Sequence, residues 1–71
     1  MKYIKDEYGN FVIFSQNLKH SDVAKALSTK PKSAGFVHVI DNVHTFGESI
    51  SLSICADKED GKRIENQLVL G

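Results

Sequence analysis

The sequence predicts an α+β domain with the element order ββαββα, in which a four-stranded antiparallel sheet carries two short helices on one face. Three observations lead to this class. The chain has 71 residues, which is the length of one domain. Residues 33–56 contain two long strand-like runs. Residues that favour helix starts precede two shorter segments, near positions 21 and 57.

The central hairpin is predicted from residues 33–56, with Asp41 and Asn42 as a two-residue turn that sets Ile40 opposite Val43. Side chains along a strand alternate between the two faces of a sheet. The predicted core face comprises Val37, Val39, Phe46, Ile50, Leu52 and Ile54. The second face comprises Phe36, His38, Ile40, Val43, Thr45, Ser49, Ser51 and Ser53. Its large apolar groups are not typical of a solvated surface.

A first hairpin is predicted from residues 1–5 and 11–15, joined by a loop in which Gly9 and Asn10 can adopt positive φ. Residues 11–14 are apolar without alternation. Such a run is typical of a strand that is covered on both sides, so we expect this strand to be central in the sheet.

The first helix is predicted to start at Ser21 or Asp22, whose side chains can cap free amides, and to run to about residue 28. The only proline, Pro31, ends the helical pattern.

The second helix is predicted after an N-cap at Asp57, with Glu59 and Asp60 in its first turn, where carboxylates interact favourably with the helix dipole. Gly61 costs about 1 kcal/mol relative to alanine inside a helix. We therefore expect Gly61 to permit a close approach of this helix to the sheet.

Composition and charge exclude several classes of function. Nine basic and nine acidic residues cancel, which argues against a dedicated nucleic-acid-binding protein. No segment has the length and apolarity of a signal peptide or a membrane span. The sequence therefore predicts a soluble, cytoplasmic protein without a membrane or nucleic-acid partner.

The small size of the chain predicts self-association. A domain of this length buries a modest share of its surface, so it commonly needs extra stabilisation. The single cysteine, Cys55, excludes an internal disulfide, and three scattered histidines do not match a zinc-ligand spacing, so neither a metal nor a cofactor is expected. A homo-oligomer is the remaining common solution.

Glu48 falls on the predicted core face, where a carboxylate is unfavourable unless it is paired. Two interpretations are open. Glu48 could line a pocket at the sheet edge and accept hydrogen bonds from a ligand or from the first helix. Alternatively, Gly47 makes a β-bulge that turns Glu48 toward solvent.

A candidate anion site lies before the third strand. Ser33, Ala34 and Gly35 could present backbone amides to an anion, as small-residue loops do around phosphates, and Lys30 and Lys32 flank them. His20, just before the first helix, could donate to the same anion. The alternative is an ordinary loop with solvated lysines and a surface histidine.

A candidate subunit interface follows from the second face of the hairpin. Ser51 and Ser53 belong to a stripe of small side chains that lets another surface come close, and Phe36, Ile40 and Val43 are its apolar neighbours. A solvated face is the alternative. Catalysis is not expected, because the pairing places no histidine beside Cys55 to act as its base.

Three motifs carry a resemblance: HSDVA at residues 20–24, SAGF at 33–36 and FGESISL at 46–52. With these motifs the chain resembles short, uncharacterised proteins encoded in bacteriophage and prophage genomes, over most of residues 18–68. It is also similar in size and style to small phage proteins that counter bacterial immunity. The resemblance implies a non-enzymatic function in the host cytoplasm, either sequestering a nucleotide immune signal or inhibiting a defence protein.

The first functional hypothesis is therefore a homo-oligomer that sequesters a nucleotide-like ligand. The expected phosphate contacts are His20, Lys30, Lys32, Ser33, Ala34 and Gly35. The expected base or ribose contacts are Phe36, His38, Glu48 and Ser49. The second hypothesis is an inhibitor or adaptor that binds a host protein through Phe36, Ile40 and Val43. A small hydrolase or transferase is the third, and it lacks an assembled nucleophile and base.

Overall fold

The structure, a computed structural model, describes residues 1–39 and 41–70 of the chain. Its elements in order are β1 (Lys2–Asp6), β2 (Phe11–Phe14), α1 (His20–Ala26), β3 (Pro31–Val39), β4 (Val43–Phe46), β5 (Glu48–Ser49), β6 (Ile54–Cys55) and α2 (Asp60–Leu70). The first four strands form an antiparallel sheet, and β5 pairs with β6 in a separate two-stranded ribbon. The predicted α+β class and four-stranded antiparallel sheet are confirmed.

The order of the strands in the sheet is β2-β1-β3-β4, so β1 and β3 are central. The prediction that β2 is central is wrong. Its apolar run has another cause: Phe11 and Phe14 pack against hydrophobic clusters on opposite faces of the sheet. The β1–β2 turn is as predicted, with Gly9 at a φ of +84°.

The β3–β4 hairpin has a different register from the predicted one. Val39 pairs with Val43 and Phe36 pairs with Phe46, which leaves three residues in the loop rather than two. One additional loop residue exchanges the faces of every side chain in β4. Val43 is consequently 8% exposed and belongs to the core, whereas Phe46 is 52% exposed. Ile40, predicted to be opposite Val43, lies outside the described residues.

The two helices lie on opposite faces of the sheet rather than on one. Tyr3 and Ile4 are neighbours in β1, so their side chains point to opposite faces, and both are buried. Tyr3 clusters with Ile64 of α2, while Ile4 clusters with Ala24 of α1. Because β1 has buried side chains on both faces, one helix must cover each face of the sheet.

The predicted side-chain cap is absent at the start of α1, whereas Asp57 accepts an amide hydrogen bond just before α2. α1 begins after Lys19, which makes no side-chain cap bond, and the Ser21 amide donates to Ser51 Oγ instead (3.3 Å). Before α2, Asp57 Oδ1 accepts the Glu59 amide at 2.9 Å, as expected of a capping residue. The close approach expected at Gly61 is confirmed: a Cβ there would lie 3.1 Å from the Val43 carbonyl carbon and closer still to its oxygen.

The predicted long strand through residues 43–56 is interrupted at Gly47, whose φ is +76°. The chain leaves the sheet there, forms the β5–β6 ribbon, and returns where the Ala56 amide donates to the Gly47 carbonyl at 2.9 Å. Leu52 and Ile54 pack on the α1 face, and Ala56 packs on the α2 face. The ribbon therefore connects the two faces at the sheet edge.

Candidate functional site

An open groove lies on the α1 face of the sheet, beside the β5–β6 ribbon. Its volume is about 570 Å³, within the range of about 300–1,000 Å³ that is typical of small-molecule sites. Four separate parts of the chain supply its lining. The lining residues are Lys2, Lys19, His20, Phe36, Gly47, Glu48, Ile50 and Ser51.

Aromatic rings form one wall of the groove. His20 is buried, and its Nε2 lies 2.8 Å from the Gly35 carbonyl oxygen. Because a carbonyl oxygen only accepts, His20 Nε2 carries the proton. The imidazole meets Phe14 and Phe36 edge to face, with centroids 5.4 Å and 6.1 Å away. Phe36 in turn stacks with the exposed Phe46 at 5.7 Å, so the aromatic rings of this wall contact one another.

Two lysines place positive charge at the groove. Lys2 Nζ donates to the Leu18 carbonyl at 2.8 Å, which holds the ammonium group beside the loop that leads into α1. Lys19, the next residue in that loop, is exposed. An ammonium group that is already held in place can bind an anion with a smaller loss of side-chain entropy.

Glu48 is exposed and lines the groove together with Gly47. The positive φ of Gly47 directs the chain away from β4. Glu48 is consequently exposed, as in the β-bulge interpretation, although the strand ends at this point. A Cβ at Gly47 would lie 2.9 Å from Phe36 Cδ2. Glycine is therefore needed at position 47 both for the positive φ and for the space beside Phe36. Glu48 is exposed and does not lie in the core.

Ile50 and Ser51 complete the rim. Ile50 is 86% exposed, and Ser51 Oγ accepts the Ser21 amide. The groove thus offers ammonium donors, a carboxylate acceptor and aromatic surface within one concave space. This combination suits a small molecule that has an anionic part and a planar part.

The groove contains several of the residues proposed from the sequence. His20, Phe36, Glu48 and Ser51 are brought together, although the His20 Nε2 proton is already donated to the protein. Lys30 and Lys32 are exposed but lie outside the described lining. The positive charge at the groove comes from other lysines.

The predicted anion-binding loop is wrong because residues 33–35 belong to the central strand β3. Ser33, Ala34 and Gly35 pair with β1 and are buried. A Cβ at Gly35 would lie 2.5 Å from the Phe46 carbonyl oxygen and 2.9 Å from Ala56 Cβ. Gly35 is therefore required for packing and cannot present its amide to an anion.

The remaining predicted residues are dispersed. Ser49 is buried, and its Oγ accepts the Leu52 amide at 3.2 Å, so it closes the turn of the ribbon. Ser53 is exposed in that turn, with a φ of 57°. His38 is exposed on the α1 face, outside the described lining. Val43 is buried and is not available to a partner, which corrects its predicted interface role.

A second polar cluster lies on the α2 face, around Asp60, which is 0% exposed. Its carboxylate accepts the Tyr3 hydroxyl at 2.8 Å, Lys5 Nζ at 3.0 Å and Arg63 Nη1 at 2.9 Å. Ser33 Oγ makes a further short hydrogen bond to it. Within the described part of the chain, no buried side-chain nitrogen or oxygen lacks a hydrogen-bond partner.

The pKa values follow from this cluster. Burial opposes ionisation of Asp60, but hydrogen bonds from Ser33, Tyr3 and Lys5 outweigh it and hold the pKa of the carboxyl below its ordinary value. Burial raises the pKa of Tyr3 well above its ordinary value, and its hydrogen bond to Asp60 adds to the effect. The cluster therefore keeps an ionised carboxylate beside a neutral phenol, and it is closed to ligands.

Sequence reasoning missed Lys2 and Lys19 at the groove and the burial of Asp60. The two lysines approach Glu48 only through tertiary structure, across more than 25 positions of the chain. The acidic residue in the first turn of α2 was recognised, but the hydrogen-bond donors that surround it come from β1 and β3. No local sequence pattern predicts that the two lysines lie near Glu48 or that these donors surround Asp60.

Comparisons of the chain with protein-family models, with curated proteins and with solved structures gave no match. Over residues 1–39 and 41–70, no helix has the length and apolarity needed to cross a membrane.

Proposed function

We propose that this protein is a non-enzymatic binding protein that holds a small nucleotide-like anion in the groove on the α1 face. The observation that carries the proposal is the convergence of Lys2 and Lys19, Phe36 and Glu48 on one open space. Lys30, Lys32 and residues 33–35, which the sequence predicted as phosphate contacts, are not part of the proposed site.

Each part of such a ligand has a matching group in the groove. The ammonium groups of Lys2 and Lys19 would donate charge-assisted hydrogen bonds to phosphate oxygens. The rings of Phe36 and Phe46 offer a surface for a base, and stacking of a base on an aromatic ring contributes about 1–3 kcal/mol. Glu48 would accept from ribose hydroxyls or from a base N–H, which distinguishes nucleotides from simple anions.

Self-association is the second part of the proposal. Phe46 is 52% exposed and Ile50 is 86% exposed, and both lie at or beside the groove. A second copy that covered these side chains would bury apolar surface and exclude water from the ligand. A homo-oligomer of this kind would sequester its ligand, as the resemblance to small anti-defence phage proteins implies.

The test is a calorimetric titration of the purified protein with mononucleotides and cyclic dinucleotides, repeated with Lys19→Ala and Glu48→Ala. Removing one hydrogen bond to a charged group costs about 1.5–3 kcal/mol, so Lys19→Ala should weaken binding about tenfold or more. Lys30→Ala is the matched control, since Lys30 is also exposed but lies outside the described lining. Equal losses for both lysines, or no binding of any nucleotide, would contradict the site.

The second candidate is an inhibitor or adaptor that binds a host protein directly. The exposure of Phe46 and Ile50 favours it, since exposed aromatic and aliphatic groups anchor protein interfaces. Native mass spectrometry of protein from its own host cell separates the two candidates. An oligomer that carries small-molecule mass supports sequestration, whereas a monomer without such mass supports a protein partner.

A further inference from the structure

The β3–β4 register places two histidines directly opposite each other. His38 pairs with His44, and both side chains are exposed on the α1 face, beyond the Phe36–Phe46 pair. We infer that His38 and His44 form a chelating site for a divalent transition metal. The site is separate from the groove, because neither histidine belongs to its described lining, so this inference does not depend on the proposed ligand.

The spacing of a directly opposed pair suits chelation. Cβ atoms of such residues lie about 4.5–5.5 Å apart in an antiparallel sheet. Metal–imidazole bonds are about 2.0–2.1 Å long, so the two ring nitrogens must approach to about 3 Å of each other. Two imidazoles that extend from the same face of adjacent strands can meet that requirement by side-chain rotation alone.

Packing on both faces holds the backbone at this pair. On the α1 face, the neighbouring rings of Phe36 and Phe46 are stacked at 5.7 Å. On the α2 face, Val43 is buried and Gly61 of α2 lies against the strand, so that a Cβ on Gly61 would be 3.3 Å from His44 Cα. The strand separation is thus set before a metal arrives, which favours binding by two ligands at once.

The donor set selects the class of metal. Imidazole nitrogen suits Cu²⁺, Ni²⁺ and Zn²⁺, whereas Mg²⁺ and Ca²⁺ prefer oxygen ligands. The described residues contain no group of three or more histidine, cysteine or acidic side chains that could hold a metal. The pair therefore supplies two protein ligands and leaves the other coordination positions to water, and we expect copper to bind more tightly than nickel or zinc.

The test uses metal ions alone, in a Cys55→Ser background that removes the exposed thiol as a competing ligand. Ni²⁺ should broaden the NMR signals of His38 and His44 first, while the buried His20 serves as an internal reference. Calorimetry with Zn²⁺ should show an affinity loss of about tenfold or more for His38→Gln and for His44→Gln. Each single variant keeps one imidazole, which binds the metal only weakly because it cannot chelate, and the double variant should lose binding at this position altogether.

Three results would overturn the inference. They are broadening that centres on His20 or the amino terminus, full affinity in either single variant, and a double variant that still binds Zn²⁺ as the wild-type protein does. Circular dichroism of each variant checks that the fold is intact, and since both side chains are exposed, we expect unchanged spectra.

Discussion

The two faces of the sheet differ in the burial and hydrogen bonding of their polar side chains. On the α2 face, Asp60 is fully buried and accepts hydrogen bonds from groups in β1, β3 and α2. On the α1 face, Lys19 and Glu48 line an open groove and are exposed. A fully paired buried network specifies and stabilises a fold, while exposed polar groups in a concave space remain available to a ligand.

The lengths of the covering helices explain this difference. α2 has 11 residues and α1 has 7, which correspond to about 16 Å and about 10 Å of helix. The nine residues of β3 extend over about 30 Å. α1 is therefore too short to cover the whole of its face, although Leu52 and Ile54 also pack there. The groove and the exposed His38–His44 pair lie on this incompletely covered face.

The largest effect on stability is expected from Asp60→Ala. The variant leaves the Tyr3 hydroxyl and the Lys5 ammonium group without their buried acceptor, and removing one partner of a buried charged pair costs about 3–5 kcal/mol. Urea denaturation of both proteins measures the loss. Glu59→Ala is the control, since the Glu59 side chain is exposed and its loss should cost within about 0.5 kcal/mol. Similar losses for both would show that the α2 face is not closed by Asp60.

Gly61→Ala should be the next in size. A Cβ at this position would collide with the Val43 carbonyl group, and overpacking of this kind costs about 1–3 kcal/mol. Helix propensity alone predicts the opposite sign, a gain of about 1 kcal/mol. Thermal unfolding distinguishes the two outcomes, with Lys62→Ala as a control at an exposed position of the same helix. A more stable Gly61→Ala protein would mean that α2 can move away from β4.

Tyr3→Phe should cost about 1.5 kcal/mol near neutral pH, because the hydroxyl loses its hydrogen bond to the charged Asp60 carboxylate and the one that it accepts from the Asp57 amide at 3.3 Å. The wild-type protein has a Tyr3 pKa above its ordinary value, so above about pH 10 the folded state keeps a proton that the unfolded state releases. The contribution of Tyr3 to the free energy of unfolding is therefore fully present below about pH 10 and is lost as the pH rises further.

The comparison of urea unfolding at pH 8 and pH 11 tests this dependence. Tyr3→Phe should lose less stability over that interval than the wild-type protein does. Tyr8→Phe is the matched control, since the Tyr8 ring is exposed and its removal should leave the pH dependence as it was. If both variants behave alike, the alkaline loss does not originate in the α2 face.

The smallest effect on stability is expected at the groove. Lys19→Ala removes an exposed charge and should change the free energy of unfolding by less than about 0.5 kcal/mol. Lys5→Ala, the same substitution on the α2 face, removes a hydrogen bond to buried Asp60 and should cost measurably more. Parallel urea titrations compare the two. An equal cost at both positions would remove the distinction between a closed face and an open one.

Local features of the fold were predictable from single segments of the sequence. Gly9 in the first turn and Gly61 as a point of close approach are confirmed, and Asp57 accepts the Glu59 amide just before α2, although the helix itself begins at Asp60. Each depends on the conformational or hydrogen-bonding preference of one residue and its immediate neighbours. Such preferences can be read without knowing what the rest of the chain does.

The candidate site was only partly predictable. Phe36 and Glu48 are predicted ligand contacts, and both line the groove. The sequence predicts a phosphate contact at Lys32 because this residue is adjacent to a small-residue segment, but that segment is part of a buried strand. Lys2 and Lys19 occupy the corresponding place instead, and their nearness to Glu48 depends on the packing of β1, α1 and the ribbon.

The sequence by itself determined the α+β class, the four main strands, the two helices and the turn between β1 and β2, because these follow from periodicity and from residue preferences within a few positions. Tertiary structure decided the register of β3 and β4, the placement of the helices on opposite faces and the membership of the groove. In a strand of period two, a shift of one residue exchanges the faces of all side chains. In the observed register Val43 is buried in one cluster with Ile64 of α2, so the register depends on packing with a distant part of the chain.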